Sequence, residues 1–422
     1  MATQLVKSDS GIAYIPLQKS LFRFMPAYTV LTTAAAYPSE VNKKDVRNLD
    51  FNAAPKVTDH REVDIYWNDE EHWGRNLTVK TANADPTSTE IQFTNATDVA
   101  SVVANQVIRN CATGEQMLVT GHNSTDKLVV VRGIGTTAAA AVAKDSVFQI
   151  MGTSIFDRSV ASDMRAPVMT EQFHNYMQTM DVSYEITEGA KVYEFQGGPI
   201  LPRVTREAAI EACFNLEDTL LRGEPGYYQD PNRANNLKHF TCGLIPFLKQ
   251  NGKIELDLNG SSLTLQTMLA FEAEYRPDDT GRAVWLCSKN GLGAIDNVLL
   301  NNLRVTSSEA VKLAVGMRVM RFHSTLRDID IYHCPALDVP GNDVDIIRYN
   351  PAKYMELLTV NGGWLYKQCD KDRPQTWDTY WLHGTFGAKY HLAKDVGGII
   401  KNVASPFTGL TAGSGNDYTL SA

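Results

Sequence analysis

The segment Arg206 to Arg222, REAAIEACFNLEDTLLR, limits what this chain can fold into more than any other. Ala209, Ala212, Leu216 and Leu220 form one apolar stripe at helical spacing, and Ile210, Phe214 and Leu221 form a second. Glu207, Glu211, Asp218 and Arg222 share the face that remains. Pro202 and Thr205 are start signals, Gly223 and Pro225 are stop signals, and a helix is expected over 206–222. Apolar over more than half its girth, that helix must be covered on two sides. It is either the central helix of one core or a spine with sheet beneath it and other elements above.

The rest of the chain reads as α+β. Gln116 to Thr120 and Lys127 to Arg132 are apolar runs around the turn-like GHNSTD, and Ser146 to Met151 adds a strand, so a small β-module is expected between about Lys56 and Met164. Further on, Lys253 to Leu258 alternates between the turn pairs Asn251-Gly252 and Asn259-Gly260. Leu265 to Tyr275 and Ala294 to Leu303 read as helices, the second with Leu299, Leu300 and Leu303 inward. Ala283 to Cys287 reads as a buried strand, and Arg318 to His323, Ile329 to His333 and Glu356 to Val360 as further strands. The Gly, Ser and Thr content beyond Ser405 is that of a flexible tail.

Charge and motifs narrow the function. Forty basic against forty-eight acidic residues give a net charge of -8, the wrong sign for a protein that grips phosphates. Six scattered cysteines (Cys111, Cys213, Cys242, Cys287, Cys334, Cys369) contain no CxxC pair and read as reduced thiols. No apolar run reaches the ~20 residues that span a bilayer. Leu21 to Ala36 imitates a signal peptide, but Arg23 and Pro26 interrupt it, so an extended N-terminal arm and synthesis in the cytoplasm are expected. The arm's Leu21, Phe22, Phe24, Met25, Tyr28 and Tyr37 need cover, from this chain or from another copy.

Three constellations invite chemistry. KLVVVRGIGTTAAAAVA, Lys127 to Ala143, places Gly133 and Gly135 after a strand as in a dinucleotide loop, with Asp157 near the distance of a ribose-binding acid. The preceding strand, however, is expected to be the second arm of an antiparallel hairpin, which favours a glycine-relieved strand end, and no cofactor is expected. The histidines, including His333 beside Cys334 and the pair His383 and His391, show no metal-ligand spacing. Trp67-Asn68-Asp69-Glu70-Glu71-His72-Trp73 packs acids between aromatics, which suits an aromatic-anchored loop at a subunit contact better than paired acid/base catalysis.

In order, these elements resemble the tailed-phage (Caudoviricetes) major capsid family with the Hong Kong 97-type fold, also the floor fold of herpesvirus shells. The apolar stretch 1–55 looks like an N-terminal arm, and 56–165, closing on GTSIFDRSVASDMR, like an elaborated E-loop. QFHNYMQTMDVSYEIT (Gln172 to Thr187) and the helix 206–222 are similar to the P-domain lead-in and spine, within 166–248. RGIGTTAAA, Arg132 to Ala140, also looks like a segment of that family. Residues 249–344 are similar to the A-domain, 345–404 with LHGTFGAKY to the return into the P-domain, and 405–422 is the tail. The chain departs from some relatives in lacking a long charged helical segment before the arm.

The resemblance implies a shell subunit without catalysis, forming hexamers and pentamers whose arms and E-loops overlap neighbours while the shell expands around double-stranded DNA. Its partners would be itself, a scaffold, a portal and a decoration protein, in a virion assembled in the bacterial cytoplasm with no membrane and no cofactor. Candidate subunit-interface residues are Phe22, Phe24, Tyr28, Trp67, Glu70, Trp73, Phe214 and Arg222. The competing expectations are a decoration or tail component, and a dinucleotide-dependent oxidoreductase built on Gly133 and Gly135.

Overall fold

The computed structural model describes residues 6–7, 12–16, 29–32, 57–70, 76–83, 85–154, 170–192, 200–231, 237–275, 283–301, 311–312, 318–323, 326–360, 363–368, 377–405, 410–412 and 418–420. The chain divides into two compact units, Met1–Trp67 with Phe173–Ala422, and Asn68–Gln172. Strands Asp64–Glu70 and Thr170–Tyr176, which pair with each other, carry the chain out of the first unit and back.

In the first unit the long strand Trp377–Tyr390 is paired on both edges. Gln178–Thr187 runs antiparallel along one edge, and Met355–Thr359 followed by Gly363–Gln368 runs antiparallel along the other. Ile12–Pro16 and Val57–Asp59 extend the latter edge. Every second residue of the long strand, from Tyr380 through Leu382, Phe386 and Ala388 to Tyr390, is buried, as the two-residue period of a strand requires. The motif LHGTFGAKY explains its glycines here. A Cβ on Gly384 would collide with the Phe386 and Trp364 rings, and one on Gly387 with Ile65 and Met177.

The expected helix lies across this sheet, but it runs from Ile200 to Arg222, six residues earlier than its start signals predict. Pro202 falls in the first turn, where its missing N–H has no carbonyl to lose. Thr205 donates its hydroxyl back to the Leu201 carbonyl at 2.8 Å instead of capping an end. The Tyr184 and Thr205 hydroxyls sit 2.7 Å apart, Thr219 reaches Met180 Sδ at 3.7 Å, and Tyr390 donates to the Leu220 carbonyl at 3.0 Å. The helix therefore runs antiparallel to Gln178–Thr187 and alongside the long strand.

One broad face of the helix is buried through Ala208, Ala209, Ala212, Cys213, Leu216, Glu217, Leu220 and Leu221. The expected second stripe is only partly covered: Leu221 is buried, while Ile210 and Phe214 are intermediate. Two facing sides would need cover all round. Here the helix widens a single buried face instead.

A second core of the same unit surrounds a seven-stranded mixed sheet, ordered Ile254–Asp257, Gly398–Lys401, Val344–Arg348, Ala283–Cys287, Asp328–His333, Arg318–His323, Val311–Lys312. Ala283–Cys287 is buried at every position and parallel to Asp328–His333, as its continuous apolar run predicts. Helices Leu265–Ala273 and Lys289–Asn301 supply Met268, Phe271, Ala294, Ile295 and Val298 to this core. The second helix starts five residues earlier than expected; of the residues predicted inward, the side chains of Leu299 and Leu300 and all of Leu303 lie outside the described residues. Between sheet and helix the buried Glu272 accepts from Trp285 Nε1 at 2.7 Å and Arg348 Nε at 2.9 Å, with Arg327 Nε 3.2 Å from its other oxygen. The Arg348 guanidinium also lies 3.7 Å from the Tyr275 ring centroid.

The second unit is an antiparallel sheet of six strands, ordered Asn76–Thr78, Val147–Thr153, Gln106–Asn110, Gln116–Ser124, Lys127–Ile134, Glu90–Gln92. A bridge between Val79 and Phe93 joins its two ends, with Lys80 N–H donating to the Gln92 carbonyl and Thr94 N–H to that of Thr78. The sheet thereby closes into a small barrel with no free edge. Its interior holds Leu77, Val79, Ile91, Phe93, Ile108, Met117, Val119, Leu128, Val130 and Phe148, with Phe93 and Phe148 edge to face at 5.8 Å.

Two outcomes test this architecture. Leu216→Ala should cost about 3 kcal/mol of stability, and Phe214→Ala less than half as much, because only the first opens a cavity in a sealed core. Urea denaturation of both variants checks the order, and equal costs would refute the single-face placement. Residues 76–154, expressed alone, should melt cooperatively by circular dichroism; a gradual, non-cooperative trace would show that the barrel core is insufficient by itself.

Candidate interaction surfaces

The interface candidates named from sequence separate into three groups. Phe22, Phe24, Tyr28 and Trp73 lie outside the described residues. Trp67 requires a correction: Asp64–Glu70 is a strand, not an aromatic-anchored loop, and its alternation sends Ile65 and Trp67 inward and Tyr66 outward. The Trp67 ring is buried, stacked on Phe173 at 5.6 Å and tilted against Phe247 at 5.6 Å. It is a core residue of this chain. Glu70 ends that strand, and its side chain is outside the described set. Phe214 and Arg222 are both partly covered on the long helix, and Arg222 is engaged with Asp218 one turn back at 2.7 Å.

The most conspicuous surface was missed from sequence. After the helix stops at Gly223, strands Gly226–Gln229 and Leu237–Phe240 pair, among the described residues, only with each other. Their register puts Tyr227 opposite His239 and Gln229 opposite Leu237 on one face, and Tyr228 opposite Lys238 and Gly226 opposite Phe240 on the other. Tyr227 is 66% exposed, Tyr228 52%, Leu237 46% and Phe240 40%. Those four side chains stay open to solvent, while His239 on the Tyr227 face packs against the Tyr176 ring at 5.5 Å. Its base is held by Asn175, a buried amide that accepts from Cys242 N–H at 2.6 Å and donates to the Ala388 carbonyl at 2.8 Å. The signal for it was present in GYYQ and LKHF, two short aromatic runs flanked by Gly and Asn, but apolar side chains in such runs are ordinarily assigned to a core.

The barrel presents a second apolar strip on its outside. Paired positions Val107, Leu118 and Val131 lie in a row across three strands, and the bulge at Met151 continues it onto a fourth. Val131 and Met151 at its ends are exposed.

The glycine loop is built differently from a phosphate cradle. Gly133 and Gly135 have φ of 68° and 98°, a left-handed backbone that glycine adopts freely. No helix follows them before Val147, so the helix N-terminus that a dinucleotide fold supplies is missing from this position. The loop is instead fixed by the buried Glu115. Its two oxygens take Arg132 Nε at 3.0 Å and Nη2 at 2.7 Å, and also the N–H groups of Gly133 and Ala140. Asp157 lies outside the described residues. Among the described residues no group of three or more His, Cys, Asp or Glu side chains could hold a metal ion, and no helix is long and apolar enough to cross a membrane.

No protein-family model matches the sequence, and no curated protein matches it. Some solved structures are similar over part of the chain. The chain is similar to the holo-SrpI encapsulin complex of Synechococcus elongatus, at 10% identity and a TM-score of 0.41, over 56% of this chain and 78% of that one. It is similar to the capsid of the native GTA particle, at 8% identity and a TM-score of 0.38, over 60% of this chain and 82% of that one. It is likewise similar to the capsid of cyanophage Pam1, at 9% identity and a TM-score of 0.39, over 60% of this chain and 83% of that one.

Proposed function

We propose that this chain is the major capsid protein of a tailed bacteriophage, a subunit that associates with its own copies into hexamers and pentamers of an icosahedral shell around double-stranded DNA. The observation that carries this reading is the ribbon Gly226–Phe240, which exposes Tyr227 and Leu237 on one face and Tyr228 and Phe240 on the other. An isolated two-stranded ribbon is at best marginally stable in water, and aromatic side chains are what interface cores are enriched in. A subunit that ends its longest helix in such an element is made to be completed by others.

In this reading the unit Asn68–Gln172, with its barrel, takes the place of the E-loop, the helix Ile200–Arg222 is the P-domain spine, and the mixed sheet is the A-domain. The work is mechanical rather than catalytic. A net charge of -8 suits a wall that encloses nucleic acid without holding it, because tight attachment to phosphate would oppose filling. A scaffold, a portal and a decoration protein are the expected partners, and the virion is the expected location.

Light scattering and negative-stain imaging of the full chain, expressed alone and with its scaffold, test the assignment. Megadalton shells or discrete capsomers are expected, and a protein that stays monomeric at high concentration in both settings would overturn it. The double variant Tyr227→Ser/Leu237→Ser should keep its far-ultraviolet circular dichroism and lose assembly. Wild-type assembly by that variant would remove the ribbon from the contact.

A further inference from the structure

Glu217 sits in the middle of the long helix with its side chain fully buried, although nothing in a helix–sheet core calls for a carboxyl group there. Its partners come from 185 and 186 residues away. Oε1 accepts from the Leu31 N–H at 2.6 Å, and Oε2 accepts from the Thr32 N–H at 2.9 Å and the Thr32 hydroxyl at 2.7 Å. Residues 29–32 are themselves buried, so this carboxyl is both the anchor of that segment and what the segment covers. Among the described residues no cation pairs with it.

Among the described residues, the thiols and the phenol that face Glu217 are held neutral. On its own helix Cys213 is pushed up to about 12 by burial and by Glu217 itself. Cys334, before the turn Pro335–Leu337, and Tyr390 of the long strand are both raised well above their ordinary values by burial, with Glu217 adding to the shift. Both stay neutral. Asp218 is turned to Arg222 at 2.7 Å. Burial raises Glu217 from 4.5 to about 7 against the pull of the Thr32 and Leu31 donors, with Asp218 adding to the rise.

The Thr32 hydroxyl serves both charge states. It lies 2.7 Å from Glu217 Oε2 and 3.4 Å from the Thr29 carbonyl. When Glu217 is ionised, Thr32 donates to it. When Oε2 carries a proton, that proton can be donated to Thr32 Oγ while the hydroxyl turns toward Thr29, so no buried polar atom of the cluster is orphaned in either state.

We infer that closure of residues 29–32 over Glu217 is a proton-linked latch: the carboxyl takes up a proton as the segment closes and gives it up as the segment leaves. A group that holds its proton more tightly in the closed state stabilises closure fully below its free value, and that stabilisation is lost as pH rises through the closed value. The window is pH 4.5 to about 7. Rising pH therefore loosens this anchor of the N-terminal chain. The inference stands whether or not the chain builds a shell.

Amide hydrogen exchange on the full-length chain, corrected for intrinsic rates, measures it. Protection of Leu31 and Thr32 should fall from pH 5 to pH 8 by up to roughly 70-fold, the limit that linkage sets when the freed carboxyl returns to its ordinary 4.5 from about 7. Glu217→Gln cannot ionise and keeps one of the two acceptor oxygens, so its protection should be lower overall but flat over that range. Equal pH dependence in both proteins, or protection that rises with pH in the wild type, overturns the latch. Should the variant fail to fold, the infrared carboxyl band of the wild type decides: a protonated buried carboxyl that disappears near pH 7 supports the latch, and one already absent at pH 5.5 refutes it.

Discussion

The first unit depends on the strand Trp377–Tyr390 being held on both edges at once. With Gln178–Thr187 on one side and Met355–Thr359 and Gly363–Gln368 on the other, it has no freedom to slip. A shift of one residue would turn Leu382, Phe386, Ala388 and Tyr390 out of the core. The helix takes its direction from this strand, through Tyr390 to Leu220 and through the paired strand's Tyr184 and Met180. Gly384 and Gly387 let rings and neighbouring chains come close enough for that packing.

Each of three fully buried glutamates joins segments distant in sequence. Glu115 closes the loop from Arg132 to Ala140, Glu217 holds residues 31–32, and Glu272 gathers Trp285, Arg327 and Arg348. They differ in what neutralises them. Glu115 and Glu272 have guanidinium partners, whereas the donors to Glu217 among the described residues are neutral.

Local pattern was enough to find the elements, and long-range pairing was not. Ala283–Cys287, Arg318–His323 and the stripe Ala209, Ala212, Leu216, Leu220 were all readable, because burial imposes a period on the sequence. The helix start was misplaced because Pro202 signals a first turn as readily as a boundary. Glu217 could have been noticed, since it falls one turn after Cys213 on the buried stripe. Barrel closure through Val79 and Phe93 rests on a single bridge between runs that look unrelated in sequence. Trp67 was misjudged because the acids around it suggest a loop, while the alternation Ile65, Tyr66, Trp67 is that of a strand. The ribbon is overlooked for a different reason: short runs such as GYYQ and LKHF do not reveal whether their apolar side chains are covered.

The barrel has one consequence that follows from its wiring. Its first strand, Asn76–Thr78, and its last, Val147–Thr153, are ladder neighbours, with Asn76 facing Gln149. The polypeptide therefore goes in and comes out side by side, like the two legs of a plug. Ends held a strand spacing apart are what a host chain needs in order to accept an inserted module, because the insertion then replaces a single short loop.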